Sequence, residues 1–183
     1  MGQPKMLLPW GKTTVIGQVV ETLARAGVTE IVVVAGGERA EVEKALQGTP
    51  AQVVYNPGYR DGEMLHSFQV GLSNLLDRDI SAALVVLGDQ PQIEEKVARS
   101  VIEGQPADPY RIVVPSYRLR RGHPWLLPRA WWEAVMALKP PKTLRDFLSE
   151  HDGMIDYLVV DTPTVLQDLD TPDDYRQSAP AAQ

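Results

Sequence analysis

Acidic side chains follow two apolar stretches of this chain, and a lysine precedes both of them. Asp89 comes directly after the run LVVLG, whereas Asp168 and Asp170 lie in the stretch QDLDTPDD. A carboxylate just beyond a buried strand is a good ligand for Mg²⁺, which takes one or two carboxylates and completes its shell with phosphate oxygens and water. Lys5 lies in a loop between prolines, which suits an ammonium group that reaches phosphates. These residue types indicate chemistry on a phosphate.

Structural roles remain open for the same side chains. Asp89 could cap the helix that follows it, as many aspartates at strand ends do. Asp173 and Asp174 fit the first turn of a last helix, because acidic residues are favoured at the positive end of a helix dipole. Asp168 and Asp170 are explained less well in this way, since two carboxylates two residues apart repel each other unless a cation or several donors neutralise them.

The segment RLRRGHP contains a second group of candidates. Arg120 and Arg121 could be the solvated rim of a hairpin or could contact an anionic ligand. His123 lies between Gly and Pro, so its backbone is constrained, and we interpret it as a ligand contact. His66 and His151 are interpreted as structural or surface residues.

Other classes of chemistry are disfavoured by what the sequence lacks. The chain of 183 residues has no cysteine, which excludes disulfides, thiolate metal sites and thiol nucleophiles. Ser67 lacks a nucleophile-elbow pattern, so hydrolysis by a Ser-His-Asp arrangement is not expected. A net charge of −6 argues against nucleic-acid binding, although it permits a small anionic ligand. No apolar run reaches the length of a membrane span and no signal peptide is recognised, so a cytoplasmic protein is expected.

The elements that must position these residues alternate between strand and helix. Short β-branched runs such as TEIVVVAGG and SAALVVLGDQP read as buried strands, and VIGQVVETLARAG reads as a helix capped by Thr13 or Thr14. This alternation predicts a single three-layer α/β/α domain over residues 1–183, with a doubly wound, mostly parallel sheet and a loose tail at 177–183. Ligands of such sheets bind at the carboxyl ends of the strands, where the acidic residues fall.

Five short motifs, in order along nearly the whole chain, resemble the molybdenum cofactor cytidylyltransferase family of MobA-like nucleotidyltransferases. The matching residues are Met1-Gly2, Lys5 and Leu7 to Pro9; Asn56-Pro57, Gly62 and Ser67; Leu87 to Pro91; Gly122 to Pro124; and Asp168 to Asp174. Each motif alone is weak, and their order is what makes the resemblance specific.

The resemblance implies a reaction and a role for each motif. The terminal phosphate of molybdopterin, carrying molybdenum, attacks the α-phosphate of CTP, and pyrophosphate leaves. Lys5 would hold the triphosphate, and Asp89 and Asp170 would bind Mg²⁺, with Asp168 as the replacement for Asp170. The base and ribose would contact Asn56, Gly62 and Ser67, while His123, with Arg120 or Arg121, would face the pterin phosphate.

The same resemblance leaves several functions open. A family member has a strand and a Gly-rich loop before Met-Gly, so we expect an N-terminal extension that this sequence does not show, and two strand edges left without a partner. The guanylyl branch, a sugar-phosphate nucleotidyltransferase and a non-catalytic accessory protein for a molybdenum hydroxylase remain alternative functions, and a molybdenum hydroxylase apo-enzyme is a possible partner.

Overall fold

The computed structural model describes residues 4–61 and 64–180. Gly62, assigned above to nucleotide binding, and Met1-Gly2 lie outside the described residues, as does the end of the tail at 181–183. Among the described helices, none is long and apolar enough to cross a membrane.

Nine strands and seven α-helices alternate along the part of the chain that is described. In chain order they are β1 (Pro9–Trp10), β2 (Thr13–Thr14), α1 (Val15–Arg25), β3 (Ile31–Ala35), α2 (Arg39–Ala45), β4 (Ala51–Tyr55), α3 (Met64–Ser73), β5 (Ala82–Val85), α4 (Glu95–Glu103), β6 (Ile112–Tyr117), β7 (Arg120–Arg121), β8 (Trp125–Pro128), α5 (Trp132–Met136), α6 (Leu144–Glu150), β9 (Ile155–Val159) and α7 (Pro172–Ser178). Short 3-10 turns add Lys5–Leu7 before β1 and Pro163–Leu166 before α7.

The strands form a mostly parallel α/β arrangement, as predicted. β3 pairs with β4 in parallel, and β6 pairs with β9 in parallel. β8 lies between β5 and β6 and is antiparallel to both, so β5, β6 and β9 run in one direction. Within the described residues, no strand bonds the β3–β4 pair to the five-stranded sheet, and both β3 and β5 have one edge without a strand partner.

Helices cover both faces of the larger sheet, which confirms the three-layer prediction. Successive strand residues alternate between the two faces, since side chains in a strand point to opposite sides. Ile112 and Val114 pack with α3, α5 and α6 on one face, whereas Val113 packs with Val101 of α4 on the other. A separate core holds β3 to α1, α2 and α4, and half-buried Leu84 of β5 packs against it.

Helix ends follow the capping signals of the sequence. The side chain of Thr14 accepts a hydrogen bond from the backbone of Gly17, so α1 begins where a threonine cap was predicted. Thr171 caps α7 and forms a reciprocal capping box with Asp174, which confirms the structural interpretation of that acidic residue. Asp173 pairs with Arg176 on the same helix.

Candidate active site

Lys5 lies between two carboxylates that are far apart in sequence. Its Nζ is 2.6 Å from Asp89 Oδ2 and 3.1 Å from Asp170 Oδ1. Asp89 is largely shielded, with 21% of its side chain exposed, whereas the side chain of Asp170 is 71% exposed. The structure therefore brings together three candidates that the sequence places at positions 5, 89 and 170.

One backbone hydrogen bond and the packing of one leucine hold the loop of Asp89 against the segment Asp168–Asp170. The backbone N–H of Leu169 donates to the backbone oxygen of Asp89 over 3.2 Å. The side chain of Leu169 is fully buried and packs with Trp10 and Val15, close to the 3-10 turn that carries Lys5. Because one buried leucine anchors the segment, the two aspartates that flank it are exposed while its backbone is fixed. Sequence reasoning missed Leu169; an apolar residue alternating with acids was the only signal.

Asp168 has a different partner from Asp170. Its Oδ1 accepts a hydrogen bond from the Nε2 of Gln90, which directly follows Asp89 and is itself only 1% exposed. The two carboxylates therefore have separate partners: Asp168 bonds to the amide of Gln90, and Asp170 pairs with the ammonium group of Lys5. Gln90 lies in the Leu87–Pro91 motif of the resemblance, although the sequence predicted no contact for its side chain.

The ion pairs with the two aspartates shift the basicity of Lys5. Burial alone lowers the pKa of this lysine, but hydrogen bonds and charge interactions with Asp89 and Asp170 outweigh burial and place its pKa above the usual value. Lys5 is consequently a permanent cation at neutral pH. It can hold phosphate oxygens and stabilise negative charge, but it cannot serve as a general base.

His123 lies between β7 and β8, in the segment that follows β6. Its backbone N–H donates to Val165 over 2.9 Å, and a Cβ on the preceding Gly122 would lie 2.7 Å from the Cβ of Val165. Burial lowers the pKa of His123, and the charges of Asp168 and Asp89 offset part of that decrease. Burial therefore favours the neutral imidazole, and the two carboxylates favour its protonated form.

The arginines predicted to assist His123 lie on the exposed hairpin. The Nε of Arg121 donates to the hydroxyl of Tyr157 over 2.8 Å, and its guanidinium group also pairs with Asp152. Arg120 is exposed. An anion that recruits Arg121 must therefore compete with Asp152.

Asn56 and Ser67 form a pair of their own. The Nδ2 of Asn56 donates to Ser67 Oγ over 3.0 Å, and its Oδ1 accepts from the backbone of Gly58 over 2.9 Å. Asn56 is 1% exposed, so its amide shapes the loop after β4. Within the described residues, no hydrogen bond or ion pair links this pair to Lys5, Asp89 or Asp170.

The donor set fits a divalent cation of the kind that binds with a nucleotide. Among the described residues no group of three or more His, Asp or Glu side chains converges on one point. However, Asp89 and Asp170 both lie within 3.1 Å of one ammonium nitrogen, so the two carboxylates can share one cation. Mg²⁺ is commonly bound by one or two carboxylates, with waters and substrate phosphates as the remaining ligands.

A chain with a mixed α/β/α fold and a lysine–carboxylate group at the strand ends has the features of an enzyme that binds nucleoside triphosphates. The chain belongs to the family described as MobA-like NTP transferase domain, whose model matches residues 1–154. This match confirms the resemblance to MobA-like nucleotidyltransferases.

Three similar proteins extend this result. Rv0371c from Mycobacterium tuberculosis H37Rv is 30% identical, with a TM-score of 0.83, over 97% of this chain and 89% of that one. Its complex with manganese is 31% identical, with a TM-score of 0.78, over 96% of this chain and 91% of that one. Nicotine blue oxidoreductase from Paenarthrobacter nicotinovorans is 27% identical over 92% of this chain and 84% of the relative. A nucleotidyl transferase from Methanothermobacter thermautotroptrophicus has a TM-score of 0.79 at 23% identity, covers 94% and 82% of the two chains, and shows the shared fold alone.

Proposed function

We propose that this protein transfers a cytidylyl group from CTP to the terminal phosphate of molybdenum-bearing molybdopterin and releases pyrophosphate. The observation that carries the proposal is the position of Lys5 Nζ between Asp89 and Asp170, at the strand-end edge where α/β sheets bind ligands. Family membership supports nucleotidyl transfer, and the motif resemblance supports this nucleotide and this acceptor.

Nucleotidyl transfer needs positioning and charge neutralisation more than it needs a protein nucleophile. A phosphate oxygen of the acceptor forms a bond to the α-phosphorus of CTP as the bond to the pyrophosphate oxygen breaks. In this proposal Lys5 holds the triphosphate and stabilises the charge that develops on the leaving pyrophosphate. Its raised pKa keeps the ammonium group charged throughout.

Asp89 and Asp170 would hold the divalent cation, Mg²⁺ or Mn²⁺, and the manganese complex of Rv0371c supports a cation of this kind in a relative. When bound, such an ion neutralises phosphate charge. The protein's own contribution is to keep the two carboxylates separated and aligned. Leu169 does this for Asp170 through its burial and its backbone bond to Asp89.

The remaining motif residues would bind the two substrates. Asn56, Gly62 and Ser67 would line the base and ribose side, with the Asn56–Ser67 bond setting the loop in place. His123 would face the acceptor phosphate, with Arg120 or with Arg121 once that guanidinium releases Asp152.

The relative named nicotine blue oxidoreductase favours a second candidate function, an oxidoreductase acting on nicotine blue or a similar compound. Nucleotidyl transfer requires Lys5 and its two carboxylates, so loss of these side chains distinguishes it from a reaction that does not act on a nucleoside triphosphate. The preferred nucleotide distinguishes a guanylyl transferase from a cytidylyltransferase, and the acceptor distinguishes a sugar-phosphate transferase. A non-catalytic accessory protein would show no turnover.

The test is a calorimetric titration with CTP and with GTP in the presence of Mg²⁺ or Mn²⁺. Lys5→Met should abolish saturable nucleotide binding, whereas Lys12→Met, at an exposed lysine of the β1–β2 turn, should leave it unchanged. Asp89→Asn should weaken binding far more than Asp173→Asn, because the ion pair of Asp173 is with Arg176 of its own helix and not with Lys5.

The outcomes separate the candidates. CTP binding that depends on Lys5 and Asp89, followed by pyrophosphate release with molybdopterin, would support cytidylyl transfer. Preference for GTP, or turnover with a sugar phosphate, would mean that the proposed substrate is wrong but that the reaction is still nucleotidyl transfer. Absence of nucleotide binding by the intact chain would refute the proposal, and turnover of nicotine blue would then favour the oxidoreductase.

A further inference from the structure

Gln90 is an unusual residue for a buried position beside the site. It is 1% exposed, and its Nε2 donates to Asp168 Oδ1, but its Oε1 is buried without a hydrogen-bond partner among the described residues. A buried carbonyl oxygen without a donor is destabilising, and an apolar side chain of similar size would avoid that penalty. The position is therefore not optimised for stability, which suggests a role in the site.

The bond from Gln90 determines where Asp168 can place its charge. Asp168 is exposed and is separated from Asp170 by a single residue, so without this hydrogen bond its carboxylate could turn into solvent. The Gln90 amide occupies one carboxylate oxygen and leaves the other free. Because Gln90 directly follows Asp89, this bond also fixes the distance between the Asp89 loop and the segment that carries both aspartates.

We infer that Gln90 is a positioning residue, which holds the Asp168 carboxylate against the loop that carries Asp89 so that its charge helps to retain the divalent cation. The inference rests on the proposed function, because it assumes a cation site at Asp89 and Asp170. Gln90 does not touch the cation in this account; it acts through Asp168. Side chains that orient groups around a metal in this way typically affect its affinity by about 10- to 100-fold.

The experiment measures Mn²⁺ binding to the intact free chain by calorimetry, together with the melting temperature without metal. Gln90→Met keeps the volume and removes the bond, so Mn²⁺ should bind about 10- to 100-fold more weakly while the melting temperature is unchanged or higher. Gln18→Met is the control. It removes a hydrogen bond that the side-chain amide donates to Thr22 on α1, and it should leave Mn²⁺ affinity unchanged. Gln90→Asn, whose amide is too short to reach Asp168, gives the same test if the methionine variant does not fold.

A double-mutant comparison shows whether Gln90 acts through Asp168. Asp168→Asn should weaken Mn²⁺ binding to a similar extent, and the combined Gln90→Met and Asp168→Asn chain should lose no more affinity than either single variant. Additive losses, or wild-type Mn²⁺ affinity in Gln90→Met, would overturn the inference and leave the proposed function standing. A wild-type chain that binds neither Mn²⁺ nor CTP would instead refute the proposed function, and the positioning role with it.

Discussion

Replacement of Leu169 by alanine separates the stability of the fold from the alignment of the site. Leu169 is fully buried between Trp10 and Val15, and truncation of a buried leucine costs about 3 kcal/mol through lost burial and the remaining cavity. In a chain of this size, that corresponds to a fall in melting temperature of about 6 to 12 °C. Because the same side chain anchors the segment that carries Asp168 and Asp170, Mn²⁺ and CTP should also bind about 10-fold more weakly.

Leu127→Ala is the matched control for this prediction. Leu127 is also fully buried, but it packs in the core formed by β6, β8 and the helices of one face. We expect a similar fall in melting temperature, measured by circular dichroism, with ligand affinity unchanged at a temperature where both variants are folded. Equal losses of affinity in the two variants, or none in either, would refute the idea that Leu169 aligns the aspartates.

Three further predictions concern the same region. Gly122→Ala should lower the melting temperature, at a cost of about 1 to 3 kcal/mol, because its Cβ would clash with a buried neighbour, whereas Gly153→Ala has open space and should be tolerated. Thr171→Ala and Thr143→Ala each remove a capping box and should cost about 1 kcal/mol in chemical denaturation, but only the first should weaken Mn²⁺ binding, since its cap directly follows Asp170. Burial lowers the pKa of His123, so the stability linked to its neutral form is complete above the unfolded value of about 6.5 and is lost as the pH falls below it. His123→Gln should therefore show a shallower fall in melting temperature between pH 7 and pH 5, and an equal slope would contradict this assignment.

The strands and helices were largely predictable because their signals are local. The β-branched run of β3 and the cap of α1 are encoded within a few residues, and both lie where the sequence places them. The stretch RAWWEAVMAL at 129–138 has the pattern of one helix, but α5 is shorter, since residues Arg129–Trp131 form a 3-10 turn before the helix begins. Two adjacent tryptophans predict core packing with one ring at the rim, and Trp132 is buried while Trp131 lies at the edge of the core.

The proximity of Lys5, Asp89 and Asp170 was predictable from two sources: strand ends share one edge of a sheet, and the family resemblance places all three residues at one site. The contributions of Leu169 and Gln90 were not predictable, because a buried leucine and a buried glutamine acquire their roles only through contacts between distant segments. The roles assigned to all of these site residues, from Lys5, Asp89 and Asp170 to Asn56, Gly62, Ser67, Arg120, Arg121 and His123, stay predictions.

The separation of the β3–β4 pair from the five-stranded sheet has a consequence for motion. The β3–β4 pair packs against helices α1, α2, α3 and α4, and among the described residues no continuous ladder of backbone hydrogen bonds joins it to the five-stranded sheet. Such a pair can open as its own cooperative unit, so its amides should exchange with deuterium sooner than those of β6 and β8. Asn56 follows β4, whereas Asp89 follows β5, so a nucleotide that contacts both would bridge the two units. Bound nucleotide would then slow exchange in β3 and β4 most, because it would replace the missing connection between the sheets.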